Sequence, residues 1–331
     1  MMLQTTVLDG LQCLVVETQL HRLAILPELG AKVISLIDKA SGYEYLWRNP
    51  GRPLRRARYA DAYDRYDLSG WDECFPTISE VVYPEGPWQG IVAPDHGELW
   101  SLPWQWDHQG DTLRMWTHSV RFAYSFERTF RFTEAGPIEI HYTVYNPTPF
   151  PFKALWSMHP FLNVTPTSRV LLPPGVRVRV ELSSGERIGA FLSEHPWPLA
   201  QDRQGQPADL SRIGPRGEPS LEKLYTTPLP TGWAALQNEE EGPFLAFTFN
   251  PQLVPFVGVC HIRGWPDASP TYSTILEPCT GWPDRLDLAM TRGAGMVIPA
   301  QGEHRWRVTL HLGAGQEALA QAISHRANTN E

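Results

Sequence analysis

The sequence predicts an all-β protein, and three observations carry that prediction. Thirty-one prolines and 26 glycines cut the 331 residues into short pieces. Between these breaks, apolar and polar residues alternate with the period of two that a half-buried strand requires. Only one stretch, residues 316–326, has a helical pattern.

Taken in order, residues 14–16, 23–26 and 33–37 read as strands, joined by a turn at 27–30 and closed by a hairpin loop at 38–42 with its glycine last. Tyr45, Leu46 and Trp47 resume the sheet. Residues 49–70 have no period: Arg52, Arg55, Arg56 and Arg58 are followed by Tyr59, Tyr63 and Tyr66 and by Asp61, Asp64 and Asp67. Such a segment is either a phosphate grip or a loop whose acids neutralise its arginines. After a Pro/Gly-rich passage at 84–94, residues 104–144 read as a meander, with strands at 112–118, 120–126, 128–132 and 138–145. Asn146 to Pro149 form a turn that leads into Trp156 to Val164. Residues 170–182 are again strand-like, and 183–232 read as long surface excursions. Residues 234–237, 244–249, 256–260, 273–277, 296–299 and 304–312 supply further strands. No internal repeat or low-complexity tract divides the chain, so one domain over 1–331 is expected.

Composition excludes several functions. A net charge of −8 gives no electrostatic basis for binding nucleic acid or an anionic membrane surface. No apolar run approaches a membrane span. The first six residues lack the charged and apolar regions of a signal peptide, which predicts a cytoplasmic protein. Cys13, Cys74, Cys260 and Cys279 have no zinc-type spacing and are expected as free thiols. There is no Gly-rich phosphate loop, nucleophile elbow or HExxH, so neither cofactor nor metal is expected. Thirteen tryptophans suit a carbohydrate-sized cleft, where flat rings stack on sugar C–H faces, or else a sheet-on-sheet core.

Two stretches share one form. Leu155 to Val164 sets His159 between a hydrophobic run and Pro160, and Thr274 to Pro283 sets Glu277 before Pro278. His96 precedes Gly97 in a loop, where the glycine lets the backbone turn sharply. A carboxylate and an imidazole are what sugar anomerisation needs. One takes the proton of the C1 hydroxyl and the other, as imidazolium, gives one to the ring oxygen. The ring opens and recloses without a cofactor.

With Leu26-Pro27-Glu28-Leu29-Gly30-Ala31, Tyr45-Leu46-Trp47-Arg48, Cys74-Phe75-Pro76, His96-Gly97, His159-Pro160-Phe161-Leu162-Asn163 and Leu276-Glu277-Pro278 occurring in that order, the chain resembles the aldose 1-epimerase, or galactose mutarotase-like, superfamily over nearly its whole length. The resemblance implies a β-supersandwich of stacked antiparallel sheets with a cleft on its concave face. It implies His159 as general acid, Glu277 as general base on the far side of the sugar, and His96 as a donor to sugar hydroxyls. Trp100 stands where the hexose-6-phosphate branch carries an arginine, and Leu68-Ser69-Gly70 where it carries another, which favours a neutral sugar. Asp72, with Glu73, is expected at the cleft as a substrate contact, and Trp265 as a stacking platform. The expected function is an aldose 1-epimerase of a free, neutral sugar. The alternatives are a mutarotase of an anionic sugar using Arg55, Arg56 or Arg58, and a non-catalytic carbohydrate-binding protein. The expected partner is a small-molecule sugar, with the chain a monomer or homodimer.

Overall fold

A computed structural model describes residues 1–134, 136–217, 219–264 and 271–324. Two large sheets, all of whose pairings are antiparallel, dominate it. The larger has twelve strands. Its long path runs Met2–Leu8, Leu11–Glu17, His21–Leu26, Lys32–Asp38, Trp71–Cys74, Ser157–Asn163, Tyr272–Cys279, Phe256–Arg263, Ser220–Thr226, Arg177–Ser183 and Glu194–Pro196, with Tyr43–Glu44 pairing beside Lys32–Asp38. The second sheet has eight strands, centred on Pro243–Phe249, Gly302–Ala314, Ile138–Asn146 and Ser125–Phe132.

The two sheets face each other across the main hydrophobic core. Strand Ile138–Asn146 buries every second residue and points Ile138, Ile140, Tyr142 and Val144 inward. From the larger sheet, Trp71, Met158, Leu162, Val257, Val259 and Leu276 meet them. The middle strands of the larger sheet differ from its outer ones. Residues of Ser157–Asn163, Phe256–Arg263 and Tyr272–Cys279 are buried almost without alternation. One face of these strands is covered by the second sheet. Loops cover the other face, and the candidate site lies there.

Several expectations change in detail. Helix Gln316–Ser324 agrees with the pattern at 316–326 as far as Ser324; later residues lie outside those described. A second short helix, Leu286–Thr291, is unexpected. Residues 183–232 are not only surface excursion, since Ser220–Thr226 is an inner strand of the larger sheet. The strand expected at 120–126 begins only at Ser125. Its approach is bent because the Glu98 carboxylate accepts the N–H groups of Val120 (3.1 Å) and Arg121 (2.9 Å). All four cysteines are free and buried. Among the described residues, no helix is long and apolar enough to cross a membrane.

Candidate active site

Strand register builds the site. Directly paired residues of an antiparallel ladder share a face, and so do residues two apart on one strand. His159 pairs with Asp72. Ser157 pairs with Cys279 and Phe161 with Ile275, which sets His159 opposite Glu277 between them. Glu277 in turn pairs with Gly258, and Gly258 with Tyr225. Asp72, His159, Glu277, Gly258 and Tyr225 therefore form one row across five strands, on the loop-covered face. A second row, two residues along, joins Phe161, Ile275, Cys260 and Lys223. The same geometry corrects one expectation. Asp72 and Glu73 are neighbours on a strand and point to opposite faces. Glu73 lies in the inter-sheet core, bound to Arg128 (2.8 Å), Tyr142 (3.0 Å) and Trp156 Nε1 (2.8 Å).

A cavity of about 410 Å³ lies over these rows, with the second row, Leu221 and Ile262 in its floor and His159 in its wall. Its roof comes from two loops. His96 and Gly97 are both left-handed (φ 56° and 73°), and a Cβ on Gly97 would stand 2.1 Å from the Phe75 carbonyl oxygen. The tight passage swings His96 over the floor. The other loop brings Tyr63, at the start of a single 3₁₀ turn. Asp95 ties the two loops together: one carboxylate oxygen accepts the Tyr63 N–H (2.9 Å) and the other meets His96 Nδ1 (2.9 Å). His96 stacks on Tyr63, centroids 4.0 Å apart, and meets His159 edge-on at 5.1 Å.

The electrostatics set the two candidate proton carriers against their ordinary states. Burial, reinforced by His96, Lys223 and Lys32, holds the His159 imidazole well below its usual range. That environment favours the neutral ring over the imidazolium. Burial pushes the Glu277 carboxyl up, while Lys223 draws it down and Asp284 raises it. Glu277 is fully buried; its Oε2 accepts from Ser157 Oγ (3.2 Å) and lies 3.3 Å from Lys223 Nζ. Its Oε1 has no partner among the described residues. The cavity is lined by Lys223, which also reaches Asp284 at 2.8 Å, and not by Glu277 itself. Burial opposes the charge on Lys223, but Asp284 and Glu277 hold its pKa well above the ordinary lysine value. At the same end, a β-bulge between Val180 and Leu182 turns Glu181 into the cavity wall.

His159 and His96 thus meet at one cavity, and Glu277 stands beside His159 on the adjacent strand, not across the cavity from it. Asp72 does not reach the cavity. It is fully buried below Tyr63, which donates to it at 2.7 Å, and beside Lys32 at 3.1 Å. Trp265 lies outside the described residues. Three arginines of the cluster are engaged elsewhere: Arg52 and Arg55 bind backbone carbonyls of the same loop, and Arg56 pairs with Glu28; none of the four, Arg58 included, lines the cavity. Trp100 is buried and packs edge-on against Tyr63 and Tyr66. Sequence reasoning missed Tyr63, Asp95, Glu181, Lys223 and Asp284.

No protein-family model matches the chain, and no curated protein sequence matches it. Solved structures do. A Klebsiella pneumoniae protein proposed as an aldose 1-epimerase superposes with a TM-score of 0.71 at 12% identity, covering 99% of this chain and 88% of that one. A Salmonella typhimurium protein proposed as a mutarotase (YeaD) gives 0.65 at 14% identity, with 94% of each chain covered. A galactose mutarotase related enzyme from Lactobacillus acidophilus gives 0.64 at 13% identity, covering 92% and 98%.

Proposed function

From the fold it shares with galactose mutarotase-like structures, we propose that this chain is an aldose 1-epimerase acting on a free, neutral sugar. The observation that carries the proposal is the pairing of His159 with Glu277 on one sheet face, under a cavity that His96 also lines. Burial shifts the two in opposite senses, the imidazole down and the carboxyl up. A pair of that kind suits a reaction in which each group must serve as both acid and base.

One member of the pair takes the proton from the C1 hydroxyl while the other gives one to the ring oxygen. The C1–O5 bond breaks, its electrons pass to O5, and O1 becomes the carbonyl oxygen of the open aldehyde. Rotation about C1–C2 presents the other carbonyl face. Closure with exchanged roles yields the opposite anomer and restores both groups. Lys223 meets the sugar on the way to Glu277 and stabilises negative charge developing on the sugar oxygen at that end of the pair. His96, held by Asp95, hydrogen-bonds a sugar hydroxyl. Asp64, Asp95 and Asp284 line the cavity against Lys223, which favours neutral over anionic sugars.

One observation favours a second reading, a protein that binds sugar without converting it: the Glu277 carboxylate is covered by its lysine. NMR exchange spectroscopy on α-glucose and α-galactose separates the two. The enzyme accelerates anomer exchange, and Glu277→Gln reduces that acceleration by roughly a hundredfold or more while sugar binding persists. Binding without acceleration by the parent protein leaves only the binding function.

A further inference from the structure

Tyr63 packs against both histidines of the site, and the acid–base pair does not account for it. Its ring stacks on His96 and stands edge-on to His159 and Trp100. Its hydroxyl lies 2.7 Å from Asp72 Oδ2 and 3.5 Å from His159 Nδ1. Tyr63, Asp72 and His159 are all buried. Asp72 is anchored in turn by Lys32, whose ammonium also contacts both oxygens of Asp67 at 2.8 Å, and Ser69 Oγ donates to Asp67 at 2.6 Å.

A phenol has one proton to donate. The short contact to a carboxylate next to an ammonium is where that proton goes, since charged acceptors make the stronger bonds. The Tyr63 oxygen then offers only a lone pair to His159, so Nδ1 must carry the proton of the neutral ring. That leaves Nε2 unprotonated on the cavity side. The groups facing His159 are His96 above, Lys223 across the floor, Lys32 below, Glu277 on the adjacent strand, and the Tyr63–Asp72 pair. Of these, Asp72, acting through Tyr63, and Glu277, when ionised, favour the protonated ring.

We propose that Tyr63 is a positioning residue that links His159 to Asp72, holds the imidazole in its Nδ1–H form, and so makes Nε2 the atom that takes and returns the sugar proton. The catalytic consequence rests on the epimerase reading above; the tautomer does not. In that form His159 accepts the sugar proton at Nε2 while Glu277, in its protonated form, is the donor, and His159 donates in turn once Nε2 is protonated. At that point Nδ1–H, the Tyr63 hydroxyl and Asp72 form an unbroken chain to the new charge.

Long-range ¹H–¹⁵N correlation spectra of protein labelled with ¹⁵N-histidine test this directly, with His159→Gln assigning the signal. Parent protein should show His159 with Nδ1 protonated. Tyr63→Phe keeps the ring that packs on His96 and Trp100 and removes only the hydroxyl. It should move His159 toward the Nε2–H form and lower its titration midpoint. Parent His159 found as Nε2–H overturns the proposal, as does a tautomer and titration unchanged in Tyr63→Phe. Anomer exchange is the second arm: Tyr63→Phe should lose roughly tenfold to a hundredfold in kcat with little change in KM. An unchanged kcat overturns the catalytic consequence. A parent protein without exchange activity removes the epimerase reading, while the tautomer measurement still decides the role of Tyr63.

Discussion

Glu181 shows how a single side chain can couple the cavity to stability. Burial, with the nearby Asp284 carboxylate, pushes its carboxyl up to about 8, against the pull of Lys223. Its unfolded pKa is about 4.3. Between these values the folded chain holds a proton that the unfolded chain has released, so this group's contribution to stability falls as pH rises through that window. Glu181→Gln lacks the effect. Thermal and denaturant melts of parent and variant should therefore diverge between pH 5 and pH 9 in the variant's favour, by on the order of 2–4 kcal/mol. A difference that does not change with pH would mean that Glu181 ionises normally. Residues of this kind were the hardest to foresee. His96, His159 and Glu277 stood in short motifs that carry a family resemblance. Tyr63 was hidden in a segment that reads as charge-balanced loop, and Lys223 in one that reads as surface. Neither residue has a local signature, because each gains its role from neighbours remote in sequence: His96 and His159 for one, Asp284 and Glu277 for the other.

At the scale of elements, the strand carrying Gly258 lies between those carrying Glu277 and Tyr225. Gly258 leaves no side chain in the row, and Glu277 leans into the space. A Cβ there would stand 3.1 Å from Glu277 Cβ, 3.2 Å from Glu277 Cδ and 3.1 Å from the Tyr225 ring. These contacts are too close to accept without a shift but loose enough for side chains to give way. Gly258→Ala should fold, with a thermal midpoint near that of the parent, and lose roughly tenfold or more in anomer exchange because the carboxylate is displaced. Full activity in that variant would show that the position of Glu277 is not critical. Strands were the legible elements, since alternation marks a half-buried strand. Legibility failed where alternation is broken or brief. Helix Leu286–Thr291 is only six residues long, too short for a helical period to show. The strand period also gave enough information to separate Asp72 from Glu73, because adjacent residues cannot share a face.

At the scale of the molecule, the sheet bearing the site is held to its partner sheet by a buried ion pair. Arg128, from strand Ser125–Phe132, reaches Glu73 of the larger sheet at 2.8 Å and donates to the Ala31 carbonyl. Its guanidinium lies over Phe130, Trp104 and Trp71. Removing one member of such a pair leaves the other charged and buried, which costs about 3–5 kcal/mol; removing both costs much less. Urea denaturation should show that loss in Arg128→Met and a substantial recovery in Arg128→Met/Glu73→Gln. Losses that simply add would show that the two are not coupled. The broad architecture was legible from composition and alternation, whereas this pair was not, because an arginine and a glutamate in separate strands give no sign that they will meet between sheets. The row from Asp72 to Tyr225 has a further consequence, for folding. Its five strands are neighbours in space but are drawn from residues 71–74, 157–163, 272–279, 256–263 and 220–226. Pairings between such distant segments are slow to form, because long loops must close before any contact repays them. A nascent chain acquires its sheets piece by piece, but it has no cavity until Asp284 has been synthesised and the last of these strands has docked. Recovery of the cavity is thus a late event in refolding and reports that the larger sheet has found its register.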